Sequence, residues 1–170
     1  IVKAVPTVIA ITISCREFTL IKGSTMFGGI NIPKMVTSEI SAYTFSSCDN
    51  LEGINVDPDN VVYTSVDGVL YNKKMTEIIR YPQNKGGDVI VPDGVKTIGS
   101  SAFFGCVNLT SVEIGKSVTV IAENAFRNCK ALKSIVIPEG VESIHPMAFY
   151  QCEILESIVF PESLTSFGYD

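Results

Sequence analysis

Residues 102–168 repeat one phrase three times: AFFGCVNLTSVEI begins at Ala102, AFRNCKALKSIVI at Ala125 and AFYQCEILESIVF at Ala148. The copies are 23 residues apart, and a fixed period of this length is typical of solenoid proteins. Because equivalent positions of successive coils stack on one another, we predict that three files of apolar side chains form the core. These files contain Phe103, Phe126 and Phe149; Cys106, Cys129 and Cys152; and Leu109, Leu132 and Leu155.

Within each copy, apolar residues recur at every third position and then at every second, as in Phe126, Cys129, Leu132, Ile135 and Ile137. Spacing of three suits a helical or 3₁₀ turn, and alternation suits a short strand with one buried face. A Pro or Gly and a second segment with spacing of three then lead into the next copy. The fold class that we predict is a β-rich leucine-rich-repeat solenoid with one parallel strand per 23-residue coil.

A single coil of this kind cannot fold alone. Its roughly five buried side chains contribute about 1.5–3 kcal/mol each, whereas ordering the backbone costs about 1–2 kcal/mol for every residue. Stacking buries a continuous core and lets the strands satisfy one another's backbone groups. Adjoining copies are therefore a thermodynamic requirement.

The remaining chain divides around the regular copies, and we expect a single domain over residues 1–170. Residues 30–58 form a divergent repeat that keeps Phe45, Cys48 and Leu51 at the core positions. Residues 59–88 are an insert, residues 89–170 contain the three regular repeats, and residues 1–29 form an N-terminal cap. A terminal cap is expected because the end of a stack leaves apolar surface uncovered.

The insert is predicted to be a β-hairpin or meander, because apolar runs flank Asp67-Gly68, a strong two-residue turn signal. A second turn at residues 72–74 leads to a third apolar run. Tyr63, Tyr71 and Tyr81 are candidate contacts with a partner, since Tyr is enriched in interfaces. Packing of the insert on the solenoid would use the same rings.

The segment from Ile137 to Phe160 resembles the BspA-type leucine-rich repeat, whose phrase includes I-P-x-x-V-x-x-I-x-x-x-A-F-x-x-C-x-x-L. The phrase Y-x-S-x-D-G-V-L-Y-N-K at residues 63–73 resembles an element found among the repeats of that family. Family members are often secreted or surface proteins of bacteria. The resemblance implies a protein-binding or adhesion module without catalytic activity, whose partner is a host, extracellular-matrix or neighbouring-cell protein.

Residues 1–21 admit two interpretations. Lys3, an apolar stretch and Ser14-Cys15 superficially resemble a bacterial lipoprotein signal. The alternation of Ile9, Ile11 and Ile13 with polar residues favours a half-buried strand that belongs to the cap.

The composition is that of a folded protein, with 46% apolar residues and a formal charge of −5. Nucleic-acid binding needs clustered Lys and Arg, which the chain lacks. No apolar run is long enough to span a bilayer, so we expect no membrane insertion within this chain. The family resemblance implies an extracellular or cell-surface location, although no export signal is visible in the sequence.

Five cysteines are present, and Cys48, Cys106, Cys129 and Cys152 share one repeat position. Neighbouring strands lie close enough for disulfides, but side chains in one file point the same way, which favours buried thiols. The chain has one histidine, His145, in a predicted exposed loop, and no Cys-x-x-Cys spacing. We therefore expect no metal site, no cofactor and no catalytic site.

The candidate binding surface is the exposed face of the strands. One file contains Ser111, Ser134 and Ser157 after Gly53, and the next contains Glu113, Val136 and Val159 after Asn55. A third file contains Thr110, Lys133 and Glu156. Solenoids bind proteins through broad faces of this kind, although Ser and Val also simply suit a strand. A structural spacer or an intracellular scaffold without its own ligand is the alternative function.

Overall fold

The computed structural model describes residues 29–41, 44–45 and 48–168. These residues form thirteen short strands and no helix. In chain order the strands are β1 Gly29–Ile32, β2 Gly53–Val56, β3 Tyr63–Val66, β4 Val69–Asn72, β5 Glu77–Arg80, β6 Gly87–Ile90, β7 Thr97–Ile98, β8 Leu109–Glu113, β9 Val120–Ile121, β10 Ser134–Val136, β11 Ser143–Ile144, β12 Ser157–Val159 and β13 Ser166–Phe167.

Each regular coil contributes two strands, one more than the sequence pattern predicted. The longer strands lie in a four-stranded parallel sheet ordered β12-β10-β8-β6. The segment that returns the chain to the next copy forms a two-residue strand, and these strands lie in a second sheet ordered β13-β11-β9-β7-β5-β4-β3. The expected solenoid is confirmed, with a parallel four-stranded sheet on one side and a second sheet on the other, in which the strands of the regular coils are also parallel.

The predicted turns are successive hydrogen-bonded turns that do not extend into a 3₁₀ helix within the described chain. The amide of Cys106 donates to Phe103 O at 3.1 Å, and that of Leu109 donates to Cys106 O at 3.1 Å. Each regular coil also holds two left-handed residues at fixed positions, with φ between 57° and 72°: Ser101, Asn124 and Met147, then Gly105, Asn128 and Gln151. These residues reverse the chain between the two sheets.

The core is built from the predicted files. Phe103 stacks on Phe126 with ring centroids 4.9 Å apart, and Phe126 stacks on Phe149 at 5.4 Å. The stack continues into the insert, where Tyr81 lies 5.1 Å from Phe103. Tyr81 therefore takes the place of the repeat phenylalanine, and the end of the insert belongs to the solenoid core.

The insert is a three-stranded meander, as its turn signals predicted. Strands β3 and β4 are antiparallel, β4 and β5 are antiparallel, and β5 then pairs in parallel with β7 of the regular coils. The meander thus extends the second sheet. Tyr63, Tyr71 and Tyr81 are at most 5% exposed, so the interpretation of these rings as partner contacts was wrong. They pack the meander onto the solenoid.

Buried polar side chains attach the meander to its neighbours. Asn60 donates to Pro33 O at 3.0 Å and to Val36 O at 2.9 Å, and it accepts from the amides of Val62 and Tyr63. All four hydrogen-bonding positions of its amide are therefore used. On the other side, Arg80 is 2% exposed and donates to two carbonyls of the first regular coil, Ser101 O and Phe104 O.

The cysteine file is not uniform. Cys106 and Cys129 are buried thiols, as expected, and their sulfurs donate to backbone carbonyls of the preceding coil. Cys48 is disulfide-bonded, which corrects the expectation of a thiol at that position. The predicted cap, residues 1–29, lies outside the described residues apart from Gly29.

Candidate protein-binding face

The exposed face of the four-stranded sheet brings the predicted residues of the regular coils together. The strand register places Glu113 beside both Ile90 and Val136, and Val136 beside Val159. We call these four residues the mixed file. The same register places Asp88 beside Ser111 and Ser134 beside Ser157, and we call these residues the serine file. Val91, Val112 and Ile135 face the core. Because successive side chains of a strand point to opposite faces, the strand residues next to them, which belong to the two files, point outward.

The aliphatic members of the mixed file are strongly exposed. Ile90 is 71% exposed, Val136 is 61% exposed and Val159 is 56% exposed. Isolated apolar side chains on a surface need no explanation. Here three of the four residues in one file are aliphatic and exposed, and Glu113 lies between Ile90 and Val136. The serine file lies lower beside it, since its side chains are short.

Asp88 and Ile90 were missed in the sequence. The signal was present, because Val89-Ile90-Val91-Pro92 aligns with Ile135-Val136-Ile137-Pro138 of the second regular copy. Assigning residues up to 88 to the insert hid the strand that begins at Gly87. Its pairing with β8 makes it the first strand of the face.

Asn55 does not belong to this face. Among the described residues, strand β2 pairs with β1 in a separate two-stranded sheet, where the side-chain amide of Asn55 donates to Asn31 Oδ1 at 3.3 Å. The hairpin of the insert occupies the free edge of β2, since the Ile54 amide donates to Gly68 O at 2.8 Å. The tip of the insert therefore separates Asn55 and Gly53 from the files that they were predicted to begin.

The face carries negative charge at two points. Asp88 accepts from Ser111 Oγ at 2.7 Å and Thr110 Oγ1 at 2.9 Å, and these hydrogen bonds, that of Ser111 first, lower the pKa of the Asp88 carboxyl. Glu113 forms no ion pair within the described residues, where the single salt bridge joins Lys130 and Glu153 at 2.8 Å. Lys133 and Glu156 of the third predicted file are exposed beside the strands.

The predicted core residues of the regular copies belong to the cluster beneath this face, and those of the divergent repeat belong to a second cluster. Those of the divergent repeat and of the first two regular copies are at most 5% exposed: Phe45, Cys48, Leu51, Phe103, Cys106, Leu109, Phe126, Cys129 and Leu132. Phe149 is 8% exposed, and Cys152 and Leu155 are half-buried in the last coil. Burial raises the pKa of the Cys106 thiol to about 12. A thiol of this kind is a poor nucleophile at neutral pH.

A cavity lies between the divergent repeat, the meander and the first regular coil. This cavity of about 290 Å³ is lined by Glu39, Ile40, Tyr63 and Glu77, among others. Burial, with a smaller contribution from Glu39, raises the pKa of the Glu77 carboxyl.

The described ranges contain no group of three or more His, Cys, Asp or Glu that could hold a metal ion. His145 is exposed in the loop before a repeat. In the same part of the chain, no helix is long and apolar enough to cross a membrane.

Comparison with known proteins identifies the repeat. A sequence model of the BspA type leucine rich repeat region matches residues 13–86 and 83–170, with six copies in all. Comparison with curated proteins finds no matching sequence.

Several solved structures are similar to the chain. The pneumococcal vaccine antigen PcpA has a TM-score of 0.77 and 28% identity over 82% of this chain and 35% of its own. A leucine-rich cell surface protein of Faecalibacterium prausnitzii has a TM-score of 0.56 and 30% identity over 84% of this chain and 48% of its own. A leucine-rich repeat protein of Eubacterium ventriosum has a TM-score of 0.58 and 26% identity over 81% and 50%. The chain thus spans between a third and a half of the length of these proteins.

Proposed function

Because the chain belongs to the BspA-type leucine-rich repeat family, we propose that it is a non-catalytic protein-binding module that acts on a bacterial surface or after secretion. Its partner would be a host, extracellular-matrix or neighbouring-cell protein. The observation that carries the proposal is the exposed sheet face, on which Ile90, Val136 and Val159 present aliphatic surface in one file. A sheet of this kind binds by summing weak contacts over several strands.

The proposed location has two supports. Two of the similar structures are a vaccine antigen and a cell surface protein, and these descriptions favour a location outside the cytoplasm. The disulfide at Cys48 is chemistry that persists in oxidising environments and is rare in the cytosol. The intracellular scaffold is therefore the weaker alternative.

The face can be tested by placing charge in its aliphatic file. The immobilised chain is incubated with serum and with solubilised extracellular matrix, beside the double variant Val136→Lys/Val159→Lys. We expect the parent to capture a partner and the variant to lose at least about tenfold in affinity, because a buried unpaired ammonium opposes docking. Both side chains are more than half exposed, so the substitutions leave the core intact.

A matched control is Val61→Lys, since Val61 is 72% exposed and precedes β3 of the meander, away from the four-stranded sheet. This variant should bind as the parent does. Equal capture by the parent and the double variant would move the site away from the sheet face. Capture by neither would favour the spacer, in which the repeats hold another domain at a distance.

A further inference from the structure

The mixed file has a composition that constrains its partner. It reads aliphatic, acidic, aliphatic, aliphatic across the four strands, with Glu113 between Ile90 and Val136. Covering the file removes the Glu113 carboxylate from water, and a buried carboxylate is strongly unfavourable unless a cation pairs with it. Because Glu113 has no ion pair among the described residues, the partner must bring that cation.

The spacing of the file constrains the partner's backbone. Adjacent strands are about 4.8 Å apart, so the four side chains lie at about 0, 4.8, 9.6 and 14.4 Å along the file. An α-helix rises about 1.5 Å per residue, which places positions i, i+3, i+7 and i+10 at about 0, 4.5, 10.5 and 15 Å. These four positions also lie on one face of the helix. The two series agree to about 1 Å.

An extended segment fits less well. Its side chains on one face recur at about 6.6 Å, so the third would already lie more than 3 Å beyond its place in the file. The serine file beside the mixed file consists of Asp88 and three serines, whose short side chains leave room for the flank of a helix.

We propose that the sheet face binds an amphipathic helix lying across the strands, with aliphatic residues over Ile90, Val136 and Val159 and a Lys or Arg over Glu113. This inference rests on the proposed function and names its partner. A second copy of the chain is the competing occupant, since its own file has the same spacing. Two-fold pairing of the files would bury Glu113 against Val136 of the other copy without a cation, which disfavours it.

The probe is a short helical peptide, stapled on its far side because isolated short helices are marginal in water. It carries Leu at i, i+7 and i+10 and Lys at i+3, and a second version reverses the order to allow either orientation. Binding of the labelled peptides to the full chain is measured by fluorescence anisotropy. We expect one orientation to bind, and Glu113→Lys to weaken binding about tenfold or more.

The decisive arm is a charge exchange. A peptide with Glu in place of Lys should bind weakly to the parent chain. The same peptide should bind the Glu113→Lys variant about as tightly as the original peptide binds the parent. Glu142→Lys is the matched control, because it makes the same change of net charge at an exposed residue that precedes β11 of the other sheet. That variant should leave both peptides unaffected.

Failure of this inference is distinguishable from failure of the proposed function. If neither peptide binds at concentrations up to about 1 mM, the proposal of a helical partner is wrong. At that concentration a binding free energy of only about 4 kcal/mol would be detected. Binding that ignores Glu113→Lys also overturns that proposal. If the parent then still captures a partner that Val136→Lys/Val159→Lys loses, the face binds a protein of another shape. If sedimentation shows a dimer of the parent that Val136→Lys dissolves, the occupant is a second copy.

Discussion

The regular coils and the meander solve the same stacking problem by different means. In residues 89–168, each coil repeats the contacts of the one before, and Phe103, Phe126 and Phe149 stack on copies of themselves. In the meander, neighbouring strands among β3, β4 and β5 are antiparallel, and the fit depends on side chains that occur once, above all Asn60 and Arg80. Repetition makes an apolar interface reproducible, whereas a join between unlike units needs directional contacts.

Arg80 shows what such a join involves. Burial lowers the pKa of its guanidinium, which means that the charged form is disfavoured at this position. Two backbone carbonyls compensate in part by accepting hydrogen bonds at 2.7 and 3.0 Å. Its buried Nε has no hydrogen-bond partner within the described residues. The two hydrogen bonds join the meander to the backbone of the first regular coil, and the buried charge offsets part of the stability that they contribute.

The largest expected effect is on the repeated contacts. Phe126→Ala removes a fully buried ring from between two others, and we expect the free energy of unfolding to fall by about 4 kcal/mol. Urea denaturation followed by circular dichroism measures it. Phe160→Ala is the control, because that ring is 45% exposed and should contribute under about 1 kcal/mol. Similar losses in the two variants would refute the view that the stack carries the stability of this region.

A slightly smaller and more local effect is expected at the join. Asn60→Ala removes four hydrogen bonds and should lower the free energy of unfolding by about 3 kcal/mol. Hydrogen exchange should quicken at the amides of Val36 and Asp57, which are bonded within the divergent repeat, and not at that of Phe126.

Asn72→Ala provides the comparison for Asn60→Ala. The Asn72 side chain makes three hydrogen bonds, but all of them are to Thr76 and Glu77 of the same meander. This variant should leave exchange in the divergent repeat unchanged. If both variants quicken exchange equally along the whole chain, the two regions unfold as one unit and the distinction between them fails.

The regular coils were predictable because their 23-residue period is present in the amino-acid sequence. A spacing of 23 residues fixes which side chains stack, and alternation at residues 134–136 fixes which face outward. The join was less predictable because its geometry is not periodic. Tyr81 precedes Phe103 by 22 residues, so counting by the repeat period misses its place in the aromatic stack.

Two other features depend on tertiary context that no local pattern records. Asn55 occupies the repeat position of Glu113, but the tip of the insert takes the edge of its strand and removes it from the face. Met147 and Gln151 adopt left-handed backbone, which is uncommon for such residues and follows from the shape of the coil. The candidate face was therefore predicted where the period is intact and missed where the insert interrupts it.

The smallest effect concerns Glu77, which lies where the meander meets both neighbours. Burial, and then Glu39, raises the pKa of its carboxyl from the ordinary value of 4.5. The folded state thus holds this proton at a pH where the unfolded state has released it. Folding weakens as the pH rises from about 4.5 through the pKa of the folded state, and it stays weakened above that pKa.

Glu77→Gln removes this titration, so its stability relative to the parent should increase as the pH rises from 4.5 and level off above the pKa of the folded state. Because the carboxyl is partly exposed, solvent screening limits the gain to under about 1 kcal/mol. Urea midpoints from pH 4.5 to neutrality measure the difference, and Glu39→Gln should reproduce a fraction of it by removing the second cause. A Glu77→Gln variant that is no more stable than the parent near neutrality would mean that Glu77 finds a cation in solution. The junction would then carry an ion pair in addition to the side-chain hydrogen bonds of Asn60 and Arg80, which distinguish the meander from the regular coils.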